Sequence, residues 1–286
     1  PIFINSPDNK YFNLIVYKND IIEDDNGIKY QILSKLGEGQ FGQVFAVSEI
    51  TSTNQERPIY ALKITKSHSE YRDQAQKEAD LMKYISEYSS DDEMEHIIRF
   101  IRSFIFKNHL VILTELLSTN LMTVIERKKY IGLPLNLIQS IVRTILEALS
   151  TLLRLGIVHS DVKPENILLV NDTSTKFKIV DFGSSRFISQ QFTFYIQSRF
   201  YRAPEVILSI PHSYPIDIWS LGCVAVELFV GLPLFPGQNE VQMIILISRM
   251  LGQIPQNMID ISPRKNFFFN PDNSLKTESE ICSSLK

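Results

Sequence analysis

Apolar residues in the first 117 positions come in short runs, many of them at every second position. Tyr60, Leu62 and Ile64 alternate with Ala61, Lys63 and Thr65, the period of a strand with one buried face. β-Branched and aromatic runs broken by turn residues continue from residue 28 to residue 117 and predict a strand-rich body. One helix interrupts it: Tyr71, Ala75, Glu78, Met82 and Ile85 share a face at helical spacing. Residues 1–29 read as an extension that packs short strands onto this body. They hold Leu14-Ile15-Val16, an acidic stretch from Asp20 to Asp25, and a closing Asn26-Gly27 turn.

After Leu117 the rhythm changes to long helices. Residues 136–155 are amphipathic with Gly156 placed as a stop. Residues 217–230 are apolar nearly all round, which predicts a helix buried on every side, and 241–251 form another helix. The expected organisation is α+β: an extension (1–29), a small β-rich lobe (30–117) and a larger helical lobe (118–286). A connector at residues 115–118 joins the lobes, and a ligand cleft between them is the natural expectation.

Composition narrows the class. The 286 residues are 44% hydrophobic and 21% charged, the balance of a globular chain, and the net charge of −3 excludes a surface built to coat nucleic acid or an anionic membrane. The Arg99–Arg102 pair and Arg127-Lys128-Lys129 are expected to be solvated. Cys223 and Cys282 form neither a disulfide framework nor a metal-site spacing, which fits an intracellular setting, cytoplasm or nucleus. Asn171-Asp172-Thr173 is a glycosylation sequon that matters only in a secreted protein. No apolar run reaches the roughly 18 residues of a spanning helix.

Candidate chemistry begins at Gly37-Glu38-Gly39-Gln40-Phe41-Gly42. A dinucleotide fold needs a helix straight after such glycines, and a P-loop ends in Gly-Lys-Ser/Thr. Here strand-like Gln43-Val44-Phe45-Ala46-Val47 follows, so the glycines sit in a turn between strands, open to phosphates. Glu78 stands in the apolar stripe of its helix and needs a cationic partner; Lys63 is the expected one, placed to grip nucleotide phosphates. The strongest segments are His159-Ser160-Asp161-Val162-Lys163-Pro164-Glu165-Asn166 and Ile179-Val180-Asp181-Phe182-Gly183. Phosphoryl transfer needs a carboxylate to orient the attacking hydroxyl and oxygen ligands for magnesium. Asp161 can do the first, Asn166 and Asp181 the second, and Lys163 can balance charge on the moving phosphate.

In chain order these motifs resemble the protein kinase superfamily, with Ala203-Pro204-Glu205 and Asp217-Ile218-Trp219-Ser220-Leu221-Gly222 completing the set. The resemblance implies a bilobal kinase fold, ATP and Mg2+ as cofactors, and protein substrates. It places Gly37 to Gly42, including Glu38, Gly39, Gln40 and Phe41, over the phosphates. Leu36 would belong to the ATP site, Val44, Ala61 and Leu168 would sandwich adenine, the Glu115 and Leu117 backbones would bind its edge, and Thr114 would be the gatekeeper. Lys163-Pro164-Glu165-Asn166 is similar to the serine/threonine version of the catalytic loop.

A finer resemblance is to the dual-specificity tyrosine-regulated kinases (DYRKs), carried by residues 195–205 and by Phe106-Lys107-Asn108-His109-Leu110, with the extension most like the Yak-type branch. It implies that Tyr195 is autophosphorylated and held by Arg199 and Arg202. Ser160 stands where many kinases carry a phosphate-binding arginine, as is typical of this family. It also implies further large-lobe helices after residue 286 that carry an arginine partner for Glu205, so the sequence is expected to be a fragment of a longer gene product. The leading reading is an active serine/threonine kinase with tyrosine autophosphorylation. A kinase-like scaffold without catalysis is the alternative. A small-molecule kinase would have no use for Ala203-Pro204-Glu205 and the segment before it.

Overall fold

The alternating stretch folds into one antiparallel sheet whose strands bury a common apolar face. The computed structural model describes residues 8–50, 57–190 and 195–283. Residues 1–7 of the expected extension and the side chain of Cys282 lie outside the described residues. The chain divides into two compact units, residues 1–118 with 170–175 and residues 119–169 with 176–286.

In the first unit the strands are β1 (Ile21–Glu23), β2 (Lys29–Gly39), β3 (Gly42–Ile50), β4 (Ile59–Thr65), β5 (Phe100–Phe106) and β6 (His109–Glu115), in the order β1-β2-β3-β4-β6-β5. Leu62 and Ile64 of β4 point into a core with Phe45, Val47, Val111 and Leu113. Each such side chain contributes about 1.5–3 kcal/mol on burial. The extension closes this core with Leu14 and Ile22, and β1 pairs with β2. α1 (Ser69–Tyr88) buries Ala75, Glu78, Met82 and Ile85, the face read from its spacing.

Arg102 departs from the expectation of a solvated surface. It pairs at 2.7 Å with Asp24, whose side chain is fully buried. Asp24 Oδ1 also accepts the Asn26 and Ile28 amides at 3.0 and 2.8 Å, so the acidic turn folds around its own carboxylate. Burial alone would raise the Asp24 carboxyl, but the Ile28 amide and the Arg102 guanidinium hold it below its ordinary value.

The second unit holds α2 (Leu121–Arg127), α3 (Leu135–Arg154), β7 (Ile157–Val158), β8 (Ile167–Leu169), β9 (Phe177–Ile179), β10 (Arg186–Phe187), α4 (Pro204–Ile207), α5 (Pro215–Val230), α6 (Glu240–Leu251), α7 (Gln256–Ile261), α8 (Lys265–Phe268) and α9 (Glu278–Ser283). α3 buries Ile138, Ile141, Ile145, Ala148 and Leu152 and stops at Gly156, whose φ of 75° is left-handed. β8 pairs with β9, and β7 with β10. No helix of the described residues is long and apolar enough to cross a membrane. Cys223 is buried on α5, and desolvation pushes its thiol up to about 12.

The expectation that 217–230 is buried all round is corrected. α3 and the turn at residues 199–201 pack against α5 and bury Ile216, Leu221, Val224 and Leu228. On its remaining side Ile218, Val226, Phe229 and Val230 are exposed, Phe229 to 61%. The buried side also carries carboxylates. Asp217 Oδ2 and Oδ1 accept the backbone N–H groups of His159 and Ser160 at 2.7 and 2.8 Å. Glu227 accepts the Tyr201 hydroxyl at 2.7 Å. Near the start of α4, burial raises the Glu205 carboxyl above its ordinary 4.5, and no cation pairs with it among the described residues.

Two stability predictions follow from these carboxylates. Asp217→Ala leaves two buried donors unmatched, at about 1–3 kcal/mol each, so urea unfolding should show a loss of roughly 2–6 kcal/mol. For Glu205 the folded form binds its proton more tightly than the unfolded one, so its contribution to stability is full below pH 4.5 and falls as pH rises through the folded value. Glu205→Gln should therefore melt higher than the parent at pH 7.5. The gap should close toward pH 4; a gap that stays constant with pH would rule out this account.

Candidate active site

The glycine turn is the tip of the β2–β3 hairpin, with Gly39 opposite Gly42, Glu38 opposite Gln43 and Gly37 opposite Val44. Gly42 is required by the fold, since a Cβ there would lie 2.1 Å from the Ile64 carbonyl oxygen. A Cβ on Gly37 or Gly39 would meet nothing within 4 Å. Packing does not demand glycine at those two positions; an approaching anion that needs bare backbone N–H groups would. The tip is folded onto the start of α1: Lys66 N donates to Phe41 O at 3.0 Å, and the Phe41 ring meets Tyr71 edge-on at 6.3 Å. Leu36 and Gln40 are exposed, whereas Glu38 is engaged by Asn13 and Lys35.

Lys63 lies opposite Val44 on β3, and Ala61 lies opposite Ala46 on β3 and Thr114 on β6. Strand alternation puts these residues on the face away from the Leu62–Ile64 core. α1 covers part of that face, and the Lys63 ammonium donates to Glu78 Oε1 and Oε2 at 2.7 and 2.8 Å. Glu78 is buried, so its desolvation is offset by a two-oxygen, charge-assisted contact. At the connector the Thr114 hydroxyl donates to Glu115 O at 3.2 Å, and the Glu115 amide donates to Arg99 O at 3.1 Å. Leu117 is half-buried, and the Ser118 hydroxyl donates to Asp172.

In the second unit the Asp217 carboxylate fixes residues 159–160, and Ser160 takes a left-handed φ of 67°. His159 Nε2 donates to Val180 O at 3.1 Å and its Nδ1 accepts Asp161 N at 3.2 Å, which sets the tautomer. Its ring packs edge-on against the buried Phe182 at 5.2 Å. Asp161 then receives four donors. Lys163 Nζ and Asn166 Nδ2 reach Oδ2 at 2.7 and 3.1 Å, and the Ser198 hydroxyl and amide reach Oδ1 at 2.7 and 3.1 Å. Lys163 Nζ also donates to Ser198 Oγ at 3.0 Å. Burial alone would raise the Asp161 carboxyl, but Lys163 and Ser198 hold it below its ordinary value. It stays ionised at neutral pH.

The β8–β9 pairing Ile167↔Ile179 brings the end of the loop beside the start of the next, and Val180 N donates to Asn166 O at 3.0 Å. Asp181 has a left-handed φ of 65°. Asn166 spends its amide N–H groups on Asp161, and among the described residues no donor reaches its Oδ1. No cluster of three acidic, histidine or cysteine ligands occurs among the described residues. An ion held by Asn166 and Asp181 oxygens would therefore complete its shell with phosphate and water, which suits magnesium. Leu168 of β8 also forms an isolated bridge with Asn120, the residue that caps α2.

Tyr195 is 75% exposed, and the Arg202 guanidinium lies 4.4 Å from its ring centroid. Arg202 is buried and commits three of its five N–H groups, to Ile196 O, Gln197 O and Glu240. Arg199 is exposed. Three polar residues here were not singled out from the sequence. Ser198 gave no signal, because a serine in a loop is commonplace. Asp217 stood in a motif without an assigned task. Asn13, whose amide reaches Glu38 at 3.0 Å, lay in an extension read only as packing.

Residues 30–284 match the protein kinase domain family. The chain is 39% identical to the dual specificity protein kinase YAK1 of Saccharomyces cerevisiae over 97% of its own length and 35% of the relative's. It is 40% identical to the probable serine/threonine-protein kinase yakA of Dictyostelium discoideum over 94% and 18%. It is 38% identical to the dual specificity tyrosine-phosphorylation-regulated kinase 3 of Rattus norvegicus over 86% and 41%. The chain thus spans less than half the length of these curated relatives. With an α+β architecture, Lys63 bonded to Glu78 and Asp161 set among Lys163, Asn166 and Ser198, the chain belongs to the protein kinase domain family.

Proposed function

We propose that this chain is an ATP-dependent protein serine/threonine kinase domain that also phosphorylates its own Tyr195. The observation that carries the reading is the ionised Asp161 carboxylate with its lysine, amide and hydroxyl donors, since a transferase needs an oriented acceptor for the proton of the attacking hydroxyl.

The residues divide the work. Lys63, steadied by Glu78, holds nucleotide phosphate oxygens, while Gly37 and Gly39 admit them to backbone N–H groups. Val44, Ala61 and Leu168 offer apolar surface for the adenine, and Glu115 and Leu117 offer backbone groups for its edge. Asp161 orients the acceptor hydroxyl and takes its proton, and Lys163 meets the charge on the transferred group. Asn166 and Asp181 supply oxygen ligands for magnesium, which when bound neutralises charge on the phosphates.

The acceptors are protein serine and threonine hydroxyls, in an intracellular setting of cytoplasm or nucleus. Phosphate on Tyr195 would add roughly −1.5 to −2 charge beside the Arg202 guanidinium, with the exposed Arg199 four residues further along the chain. The Saccharomyces and Rattus relatives are named as dual specificity kinases, which supports the tyrosine step.

Asp161→Asn should lower peptide phosphorylation by about 10²–10⁴-fold, the usual scale of a lost general base, with the melting temperature kept within a few degrees. Mass spectrometry of freshly expressed parent should find Tyr195 phosphorylated without any added kinase, and the Asp161→Asn variant should lack the mark. Transfer at the parental rate by the variant would end this assignment. A parent that binds ATP yet phosphorylates nothing would favour a scaffold.

A further inference from the structure

We infer that Asn13 is a positioning residue for the glycine turn, tying residues 37–39 to a rigid anchor elsewhere in the same unit. The inference rests on the reading of that turn as the phosphate cradle of an ATP-dependent kinase.

The turn has little to hold it from within. Gly37 and Gly39 carry no side chains, and the space a Cβ would fill there is open. Besides the Lys66–Phe41 backbone bond at its tip, its polar tethers come from residues 13–14 and from Lys35. Asn13 Nδ2 donates to Glu38 Oε1 at 3.0 Å, and Lys35 pairs with Glu38 Oε2. In the amide orientation that satisfies both its polar atoms, the Gln43 side chain donates to Leu14 O at 3.1 Å and accepts from Lys35 at 3.1 Å. Glu38 and Gln43 face each other across the hairpin, so both strands of the turn are tied to the same short segment.

That segment is itself fastened. Asn9 Oδ1 accepts the amides of Tyr11 and Asn13 at 2.9 and 3.1 Å, and Asn9 N donates to Asn13 O at 2.8 Å. Ser67 N, just before α1, donates to Phe12 O at 3.0 Å. Asp8 accepts from the Ser67 hydroxyl and meets Nε2 of the buried His109 at 2.9 Å, while His109 Nδ1 lies 2.6 Å from Thr65 O. Residues 8–14 are thereby joined to the end of β4 and the start of β6.

Asn13 is the link between anchor and turn. It is only 2% exposed, and among the described residues its Oδ1 has no hydrogen-bond partner. An apolar residue would fill that place without leaving a buried oxygen unmatched. What the amide adds is one donor aimed at Glu38.

The test is ATP kinetics of the full chain with a fixed peptide acceptor. Asn13→Asp sets two carboxylates against each other and should raise KM for ATP about fivefold or more, the scale of a lost charge-assisted hydrogen bond, with kcat changed less than twofold. Combining it with Glu38→Gln exchanges donor and acceptor across the same contact and should restore KM. Glu38→Ala, at an exposed position that leaves the buried residues in place, should raise KM as Asn13→Ala does, and the two together should raise it no further. Removing a negative charge beside bound phosphates would by itself lower KM, so a fall with Glu38→Ala overturns the inference. Unchanged KM in Asn13→Asp, or no rescue by the exchange, overturns it as well. A parent that turns over no ATP would instead bring down the reading beneath it, and this inference with it.

Discussion

The second unit depends on a buried carboxylate. Asp217 sits on the buried side of α5 and receives the amides of His159 and Ser160. Burial favours its protonated form and pushes its carboxyl upward, against the two backbone bonds and nearby positive charge. That opposition makes the arrangement specific. Only a loop that presents two adjacent N–H groups to Asp217 satisfies it, and the left-handed Ser160 is the backbone bend that does so. Asp161 follows directly; two of its four donors, from Lys163 and Asn166, belong to the same loop, and the other two come from Ser198.

The first unit solves a different problem, the assignment of two faces of one sheet. Its apolar face is closed by the extension through Leu14 and Ile22. The opposite face carries Val44, Ala61, Lys63 and Thr114 at neighbouring register positions. Small side chains at Ala61 and Thr114 leave room there, and the one long charged side chain, Lys63, is held by Glu78. The period of two that buries Leu62 and Ile64 therefore also presents Lys63. A one-residue slip of β4 would exchange the two sets and lose both core and site.

Periodicity and composition made the elements legible: the helix faces of α1 and α3, the strand of Lys63 and the hairpin at the glycines. The contact between Lys63 and Glu78 was also legible, because a carboxylate inside an apolar stripe demands a cation. Other features had no local signal. Arg102 looked like a solvated cation because its partner Asp24 is far away in sequence and joins it only through sheet pairing. Helix 217–230 looked buried all round because hydropathy records composition and is blind to which sides are packed. Ser198 and Asn13 are ordinary loop residues by type, and only the fold brings one to Asp161 and the other to Glu38.

Gln197 shows why the segment before Ala203 has little freedom. Its φ is 63°, a conformation glycine would adopt at lower cost. Glycine would lose the side chain, which donates to Ile216 O and Ser220 Oγ at 2.9 and 2.8 Å and accepts the Ala203 amide at 2.9 Å. Its backbone amide meanwhile donates to Ser160 O at 3.1 Å, and its carbonyl accepts from Arg202 at 2.9 Å. Five hydrogen bonds offset the strain at one residue. They also fasten the residues around Tyr195 and Ser198 to the start of α5, which holds the Asp161 loop. The distance from Ser198 to Asp161 is thus set by a common support, and Tyr195, two residues before Gln197, is left at the exposed edge of that support with the Arg202 guanidinium against its ring.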